Sequence, residues 1–347
     1  MSLHILREVI SDPTRLSVGY QIYDGFVFRA IRHPANVFDA IVIRNPATAR
    51  RFGDTGVESC RSLEEHIDWI NRNKWDKALV IAEDISFLIH CPTLKHIDII
   101  PSVTTGDHFD FSPLYRLPQI FSLWCATNYG KFDRQHSKMD YSQVRGLEDL
   151  SVSTANDINY HMIPTLRKLS AAQYPGSDLR ELFCSRELDT LEMISSKIRT
   201  LDGIEAAPKM QCLYLEYNRL LSDISKLSEI RGTLRALRIR KCPKIRDFSV
   251  LSQLENLEYL FLEGSNKIPS LDFISSLPKL KTLILNMEVE DGDLRPCLRL
   301  TYAHCGTIRR HYNTKASELP KGKYYRGNEN PITRSIPTIL MVCAPKK

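Results

Sequence analysis

The chain has 347 residues, 43% of them hydrophobic, and a net charge of +6. That is ample material for a core, yet no run of about 18 uninterrupted apolar residues is present to cross a bilayer as a helix. The charge is uneven. Residues 301–347 hold nine Lys/Arg against Glu318 and Glu329, so residues 1–300 sum to about −1, which excludes a nucleic-acid surface spread over the whole chain. Nine cysteines form no CxxC pair and no regular framework. Several fall at apolar repeat positions, where Cys acts as a small hydrophobe. This pattern predicts a reducing, cytoplasmic setting. The opening MSLHILREVISDPTR has acids and a proline where a signal peptide needs a long apolar run.

Residues 1–75 lack any repeat. Phe26–Ile31 and Phe38–Ile43 read as strands, rich in β-branched and aromatic residues. Ser62–Asn71 reads as a helix, with Ser62 three residues before Glu65 in a capping-box arrangement and Leu63, Ile67 and Ile70 as its apolar face. Stacked repeats leave a bare apolar edge at each end. The segment is therefore expected to be an N-terminal α/β cap, with a separate small domain as the alternative.

From Lys77 a repeat emerges. Ala78–Ile81 reads as a strand, with Ile85 and Leu88 on the far side. Triplets then follow at Leu94/Ile97/Ile99, Ile120/Leu123/Cys125, Leu147/Leu150/Val152, Leu166/Leu169/Ala171, Leu188/Leu191/Met193 and Met210/Leu213/Leu215. The most regular are Leu234/Leu237/Ile239, Leu257/Leu260/Leu262 and Leu280/Leu283/Leu285, with first leucines 23 residues apart. Cys297/Leu300/Tyr302 ends the series. An asparagine position lies eight residues after each first leucine and is filled by Asn128, Asn218, Cys242, Ser265, Glu288 and Cys305. Between Leu166 and Met210 the register is ambiguous, because Asp178–Cys184 offers a competing strand. The alternating pair of each triplet puts side chains of a short strand into the core. Return segments such as Ile224–Ile230, Phe248–Leu254 and Phe273–Leu277 supply a second apolar set on short helical turns.

Met210–Leu227 (MQCLYLEYNRLLSDISKL) and Leu257–Leu277 carry the phrasing L-x-x-L-x-L-x-x-N-x-I-x-D-(I/F)-S-x-L. This resembles the leucine-rich repeat superfamily, and its internalin-type repeats in particular. The likeness is specific over about residues 205–290, loose over 90–200 and absent in 1–75. It implies an α/β solenoid: a leucine-rich repeat horseshoe with a parallel concave β-sheet and short helical, 3-10 or irregular convex segments. The expected divisions are a cap at 1–75, a solenoid at 76–312 and a basic tail at 313–347. Within the tail, Ile336–Val342 is apolar and suited to docking a short strand on the last repeat.

Motifs for catalysis or cofactors are missing: there is no G-x-S-x-G, P-loop, H-E-x-x-H or glycine-rich dinucleotide loop. His304, Cys305 and Cys297 read as packing residues, and the acidic Glu288–Asp293 loop lacks calcium-ligand spacing. The expectation is a non-enzymatic module with no cofactor or metal.

The informative positions are those flanking each core pair, which alternation sends to the solvent side of the sheet. Tyr214, Glu216, Arg238, Arg240, Tyr259, Phe261 and Glu263 stand out there, with Trp124 set apart several repeats earlier. Aromatics and arginine interleaved with acids are the composition of a protein-binding hot spot. The basic cluster Arg235, Arg238, Arg240, Lys241, Lys244 and Arg246 suits an acidic partner, with only Arg238 and Arg240 on the concave face. The expected function is recognition of a partner protein by a monomeric cytoplasmic adaptor. Alternatives are an immunity or inhibitor protein that neutralises a toxin, or an effector whose 1–75 segment carries an activity. Nucleic acid is expected at most through the basic tail.

Overall fold

The computed structural model describes residues 17–32, 37–46, 59–103, 108–126, 137–154, 157–306 and 308–322. Asn128 and Ile336–Val342, with most of the tail's cations, lie outside them. The chain divides into two compact units, with the main division near residue 150.

The first unit opens with a hairpin of β1 (Ser17–Tyr23) and β2 (Phe26–Arg32). Its turn is Asp24-Gly25, with φ of 50° and 78°. Both angles are positive, as a two-residue turn matching strand twist requires. β3 (Val37–Asn45) pairs antiparallel with β2 and parallel with β4 (Lys77–Ala82). Helix α1 (Leu63–Asn73) makes the crossover between β3 and β4. Its capping box is complete: Ser62 Oγ accepts from Glu65 N at 3.2 Å, and Ser62 N donates to Glu65 Oε2 at 2.7 Å. The buried face is His66, Trp69 and Ile70, whereas Leu63 and Ile67 are half-buried. The difference from the expected face lies in Trp69, whose ring lies 5.3–5.6 Å from the rings of Phe26, Phe28 and Trp75. Each such pair adds about 0.5–1.5 kcal/mol beyond area burial. β5 (His96–Pro101) and β6 (Ser122–Cys125) continue the parallel ladder, and β7 (Asp149–Ser153) lies at the boundary.

The second unit holds β8 (Lys168–Ala172), β9 (Thr190–Ile194), β10 (Cys212–Glu216), β11 (Ala236–Arg240), β12 (Tyr259–Ile268), β13 (Thr282–Val289) and β14 (Tyr302–Cys305). All are parallel, in chain order and in register. Leu234, Leu237, Leu257, Leu260 and Leu262 are wholly buried. Each such leucine contributes about 1.5–3 kcal/mol of transfer free energy. The return segments are 3-10 turns, among them Ser225–Ile230, Ser249–Gln253 and Asp272–Ser276. Two of these start with an aspartate that accepts from the serine N–H two residues on: Asp223 to Ser225 and Asp247 to Ser249, both at 2.8 Å. The D-x-S phrase is thus an Asx turn that launches the return.

One register ambiguity is resolved and two expectations change. Between Leu166 and Met210 the strand is β9, built on Leu191 and Met193, while Leu179 and Leu182 are buried in a return segment. The last triplet is Leu300/Ala303/Cys305, because Ala303 and Cys305 pair with Leu283 and Leu285. Tyr302 therefore does not fill the core, and Cys305 is a core residue. The small Ala and Cys hide the L-x-L pattern. Finally, β12 carries a register shift between Glu263 and Lys267. Across it β12 has two residues more than β13, and the asparagine role passes from exposed Ser265 to buried Asn266, whose Nδ2 donates to Cys242 O at 3.1 Å and to Ile245 O at 2.5 Å. Asn218 plays the same part, donating to Met193 O at 2.9 Å, and Cys242 Sγ approaches Leu215 O at 3.5 Å. Glu288 is absent from this series and pairs with Lys267 and Arg309.

At the C-terminal edge, Lys321 bridges antiparallel to Tyr302. Ala303 N donates to Pro320 O, and Gly322 N to Thr301 O, both at 3.0 Å. Among the described residues, Pro320–Gly322 pairs with the last strand.

An Asn266→Ala variant is expected to lose about 1–3 kcal/mol in urea denaturation, since two carbonyls lose their donor. Ser265→Ala is expected to change stability by less than about 0.5 kcal/mol.

Candidate partner-binding face

In-register pairing stacks equivalent residues about 4.8 Å apart, so the outer side of β9–β13 is a set of straight rows. One row runs Thr190, Cys212, Ala236, Tyr259, Thr282. The next runs Glu192, Tyr214, Arg238, Phe261, Ile284. The third runs Ile194, Glu216, Arg240, Glu263, Asn286.

In the first row, Tyr259 packs with the small Cys212 and Ala236, and Tyr214 and Phe261 close over that cluster. In the second, the Arg238 guanidinium carbon lies 5.4 Å from the Tyr214 ring centroid and 5.1 Å from that of Phe261. A cation held between two aromatic neighbours gains from both ring quadrupoles. The third row alternates acid, base, acid. Arg238 Nη1 donates to Glu216 Oε1 at 2.8 Å, Arg240 Nη1 lies 3.5 Å from Glu216 Oε2, and Arg240 Nε donates to Glu263 Oε1 at 3.1 Å. Glu216 is 1% exposed and so depends on both arginines. Burial opposes the charge of Arg238, but Tyr259 and Glu216 more than offset it and raise the guanidinium's pKa.

Seven of the eight residues singled out are thus brought together on three neighbouring strands. Trp124 is not: it lies on β6 in the first unit, in an apolar cluster with Leu79, Ile81 and Ile100. Exposure also differs from expectation. Tyr259, Glu216 and Trp124 are buried, while Tyr214, Arg238, Arg240, Phe261 and Glu263 are half-buried. Long side chains one strand apart cover one another, so alternation alone does not deliver them to solvent. The basic cluster separates as well. Arg235 lies 3.7 Å from Glu258, Arg238 and Arg240 are held by glutamates, and Lys241, Lys244 and Arg246 remain exposed.

Two contributors were not singled out from the sequence. Tyr217 sits just past β10 in the left-handed region, with Arg240 at 5.4 Å and Lys241 at 5.2 Å from its ring. Glu192 shares the row of Tyr214 and is 7% exposed. Its position in the repeat was readable, but its burial was not. Burial pushes its carboxyl up to about 7; the Ser170 hydroxyl, donating at 2.7 Å, opposes the rise, Glu216 adds to it and Arg238 resists it.

Among the described residues no group of three or more His, Cys, Asp or Glu is placed to hold a metal ion, and no helix is long and apolar enough to cross a membrane. Burial pushes the thiols of Cys91, Cys242 and Cys297 up to about 12, so they are neutral packing groups at physiological pH.

No family model matches the chain, and no curated protein matches it. Solved structures do. An internalin, InlF, from Listeria monocytogenes is 19% identical, with 74% of this chain and 76% of that one covered and a TM-score of 0.49. Internalin C2 from the same species is 20% identical, covering 49% and 73%, with a TM-score of 0.36. A leucine-rich repeat protein from Leptospira interrogans is 14% identical, covering 63% and 73%, with a TM-score of 0.30. The in-register parallel strands, buried leucine triplets, asparagine positions and 3-10 returns make the second unit a leucine-rich repeat solenoid.

Glu192 generates a pH prediction. Its folded pKa lies above the unfolded value of 4.5, so its contribution to stability is full below pH 4.5 and is lost as pH rises through about 7. Across that interval Glu192→Gln is expected to lose less stability than the parent chain, by at most about 3 kcal/mol. Denaturant midpoints at the two ends of the range measure this.

Proposed function

We propose that this chain is a non-enzymatic binding module that recognises a partner protein through the β10–β12 face, with Tyr214, Arg238 and Phe261 at its centre. The observation that carries the reading is the Arg238 guanidinium, held between two rings and hydrogen-bonded to Glu216 while keeping part of its surface open. Tyr, Phe and Arg at fixed positions are the side chains that dominate interface energetics. Because the network already orders them, docking costs little side-chain entropy. Tyr259 and Glu216 support the face from beneath, Arg240 and Glu263 form its polar rim, and Trp124 plays no part. Cysteines placed singly as core residues, such as Cys91, Cys212 and Cys242, support a reducing compartment.

The test is capture of the partner from native cells with the full chain, followed by titration of the purified pair. Tyr214→Ala and Phe261→Ala are each expected to weaken binding by about tenfold or more, equivalent to about 1.4 kcal/mol. Phe121→Ala, at an exposed position in the first unit, is expected to leave the Kd unchanged. A folded Tyr214→Ala/Phe261→Ala variant that binds normally would overturn the assignment.

A further inference from the structure

The exposed charges of the second unit differ between its two flanks. Where the chain enters the strands, three cations are paired, Lys209 with Glu187 at 2.5 Å, Arg167 with Asp189 at 3.0 Å and Lys281 with Glu258 at 2.7 Å, and Lys279 bonds to Asn256. Where it leaves β9, β10 and β11 stand Lys197, Arg199, Arg219, Lys241, Lys244 and Arg246, all exposed. None of these six makes an ion pair with a described residue.

The local sequence explains their placement. After each strand, inward residues anchor the turn: Ser196 and Ile198, Asn218 and Leu221, Cys242 and Ile245, all buried. The residues between them must face out. The acids that follow two of these segments are engaged elsewhere. Asp223 and Asp247 accept from the Ser225 and Ser249 amides, and those bonds hold both carboxyls below the usual range. Both aspartates stay charged, but neither forms an ion pair with the six cations, which outnumber them on this flank. Tyr217, in contact with both Arg240 and Lys241, joins it to the aromatic face.

We infer that this exit flank docks an acidic segment of a protein partner, beside the apolar anchors of the sheet face; the inference rests on the protein-binding reading above. A polypeptide fits better than nucleic acid. Three successive turns at strand spacing span roughly 10 Å, short for a partner whose affinity comes from a long phosphate track. The adjoining face also carries Glu192, Glu216 and Glu263 against Arg238 and Arg240, which disfavours an extended polyanion. Rim cations of this kind act mainly on association rate and salt dependence.

The experiment is fluorescence anisotropy of a labelled oligoglutamate peptide with the full chain, at low and physiological salt, beside oligolysine and a single-stranded oligonucleotide. Oligoglutamate is expected to bind in a salt-dependent way, and Lys241→Glu/Lys244→Glu/Arg246→Glu to weaken it by roughly tenfold or more. Lys209→Gln on the entry flank is expected to change it less than about twofold. A Lys241→Gln/Lys244→Gln/Arg246→Gln variant serves if the charge reversals impair folding, with a smaller loss expected. The inference is overturned if oligoglutamate does not bind, if it binds the triple variants as well as the parent, or if the oligonucleotide binds more tightly and depends on the same three residues. Tyr214→Ala/Phe261→Ala is expected to retain oligoglutamate binding, so a failure of the sheet-face reading and a failure of the flank remain distinguishable.

Discussion

In-register parallel pairing is the constraint on which the second unit depends. Each strand repeats the position of the one before it, so residue types that recur at the repeat spacing become rows in space. The same pairing that buries Leu237 over Leu260 and Leu283 sets Tyr214 beside Arg238 and Phe261. Core and surface are therefore one geometry seen from two sides. A shift of one residue would exchange them; the shift in β12 comes after Glu263, where the core pair has already passed, and its two extra residues preserve the alternation.

The rows explain why the arginines of β11 do not act as free charges. Glu216 and Glu263 flank Arg240 along one row, and Arg238 reaches across to Glu216 from the next. The pairs hold the aromatic rings in place more than they advertise charge to a partner. Buried ion pairs contribute little net stability when compared with apolar replacements, and their effect here is to fix side-chain positions on the face. Glu192 lies one strand beyond this network and lacks an arginine of its own within hydrogen-bonding distance among the described residues. Burial raises its pKa, and the distant Arg238 only partly resists the rise.

Charge that the face neutralises reappears on the exit flank. The turns there alternate anchored and outward residues, and Lys241, Lys244 and Arg246 take the outward places. Asp223 and Asp247 stay charged but are bonded to the amides that start the 3-10 returns and pair with none of these three. On the proposed reading, an apolar-centred face bordered by unpaired cations combines an anchor with electrostatic steering.

Much of this was legible from residue order alone. The 23-residue recurrence, the leucine triplets, the D-x-S returns and the Ser62–Glu65 cap were all local patterns whose physics needs no distant partner. Seven candidate face residues were found because period-two alternation is a local rule. Tertiary structure decided what depends on neighbouring coils: that Asn266 rather than Ser265 reaches the carbonyls of Cys242 and Ile245, that Leu300/Ala303/Cys305 is the last triplet, and that Tyr259 and Glu216 are covered. It also separated Trp124 from the other seven and showed which cations have partners. Strand alternation states which way a side chain points, but its burial and pairing are set by residues more than twenty positions away, one coil earlier or later, and only the stacked register brings those together.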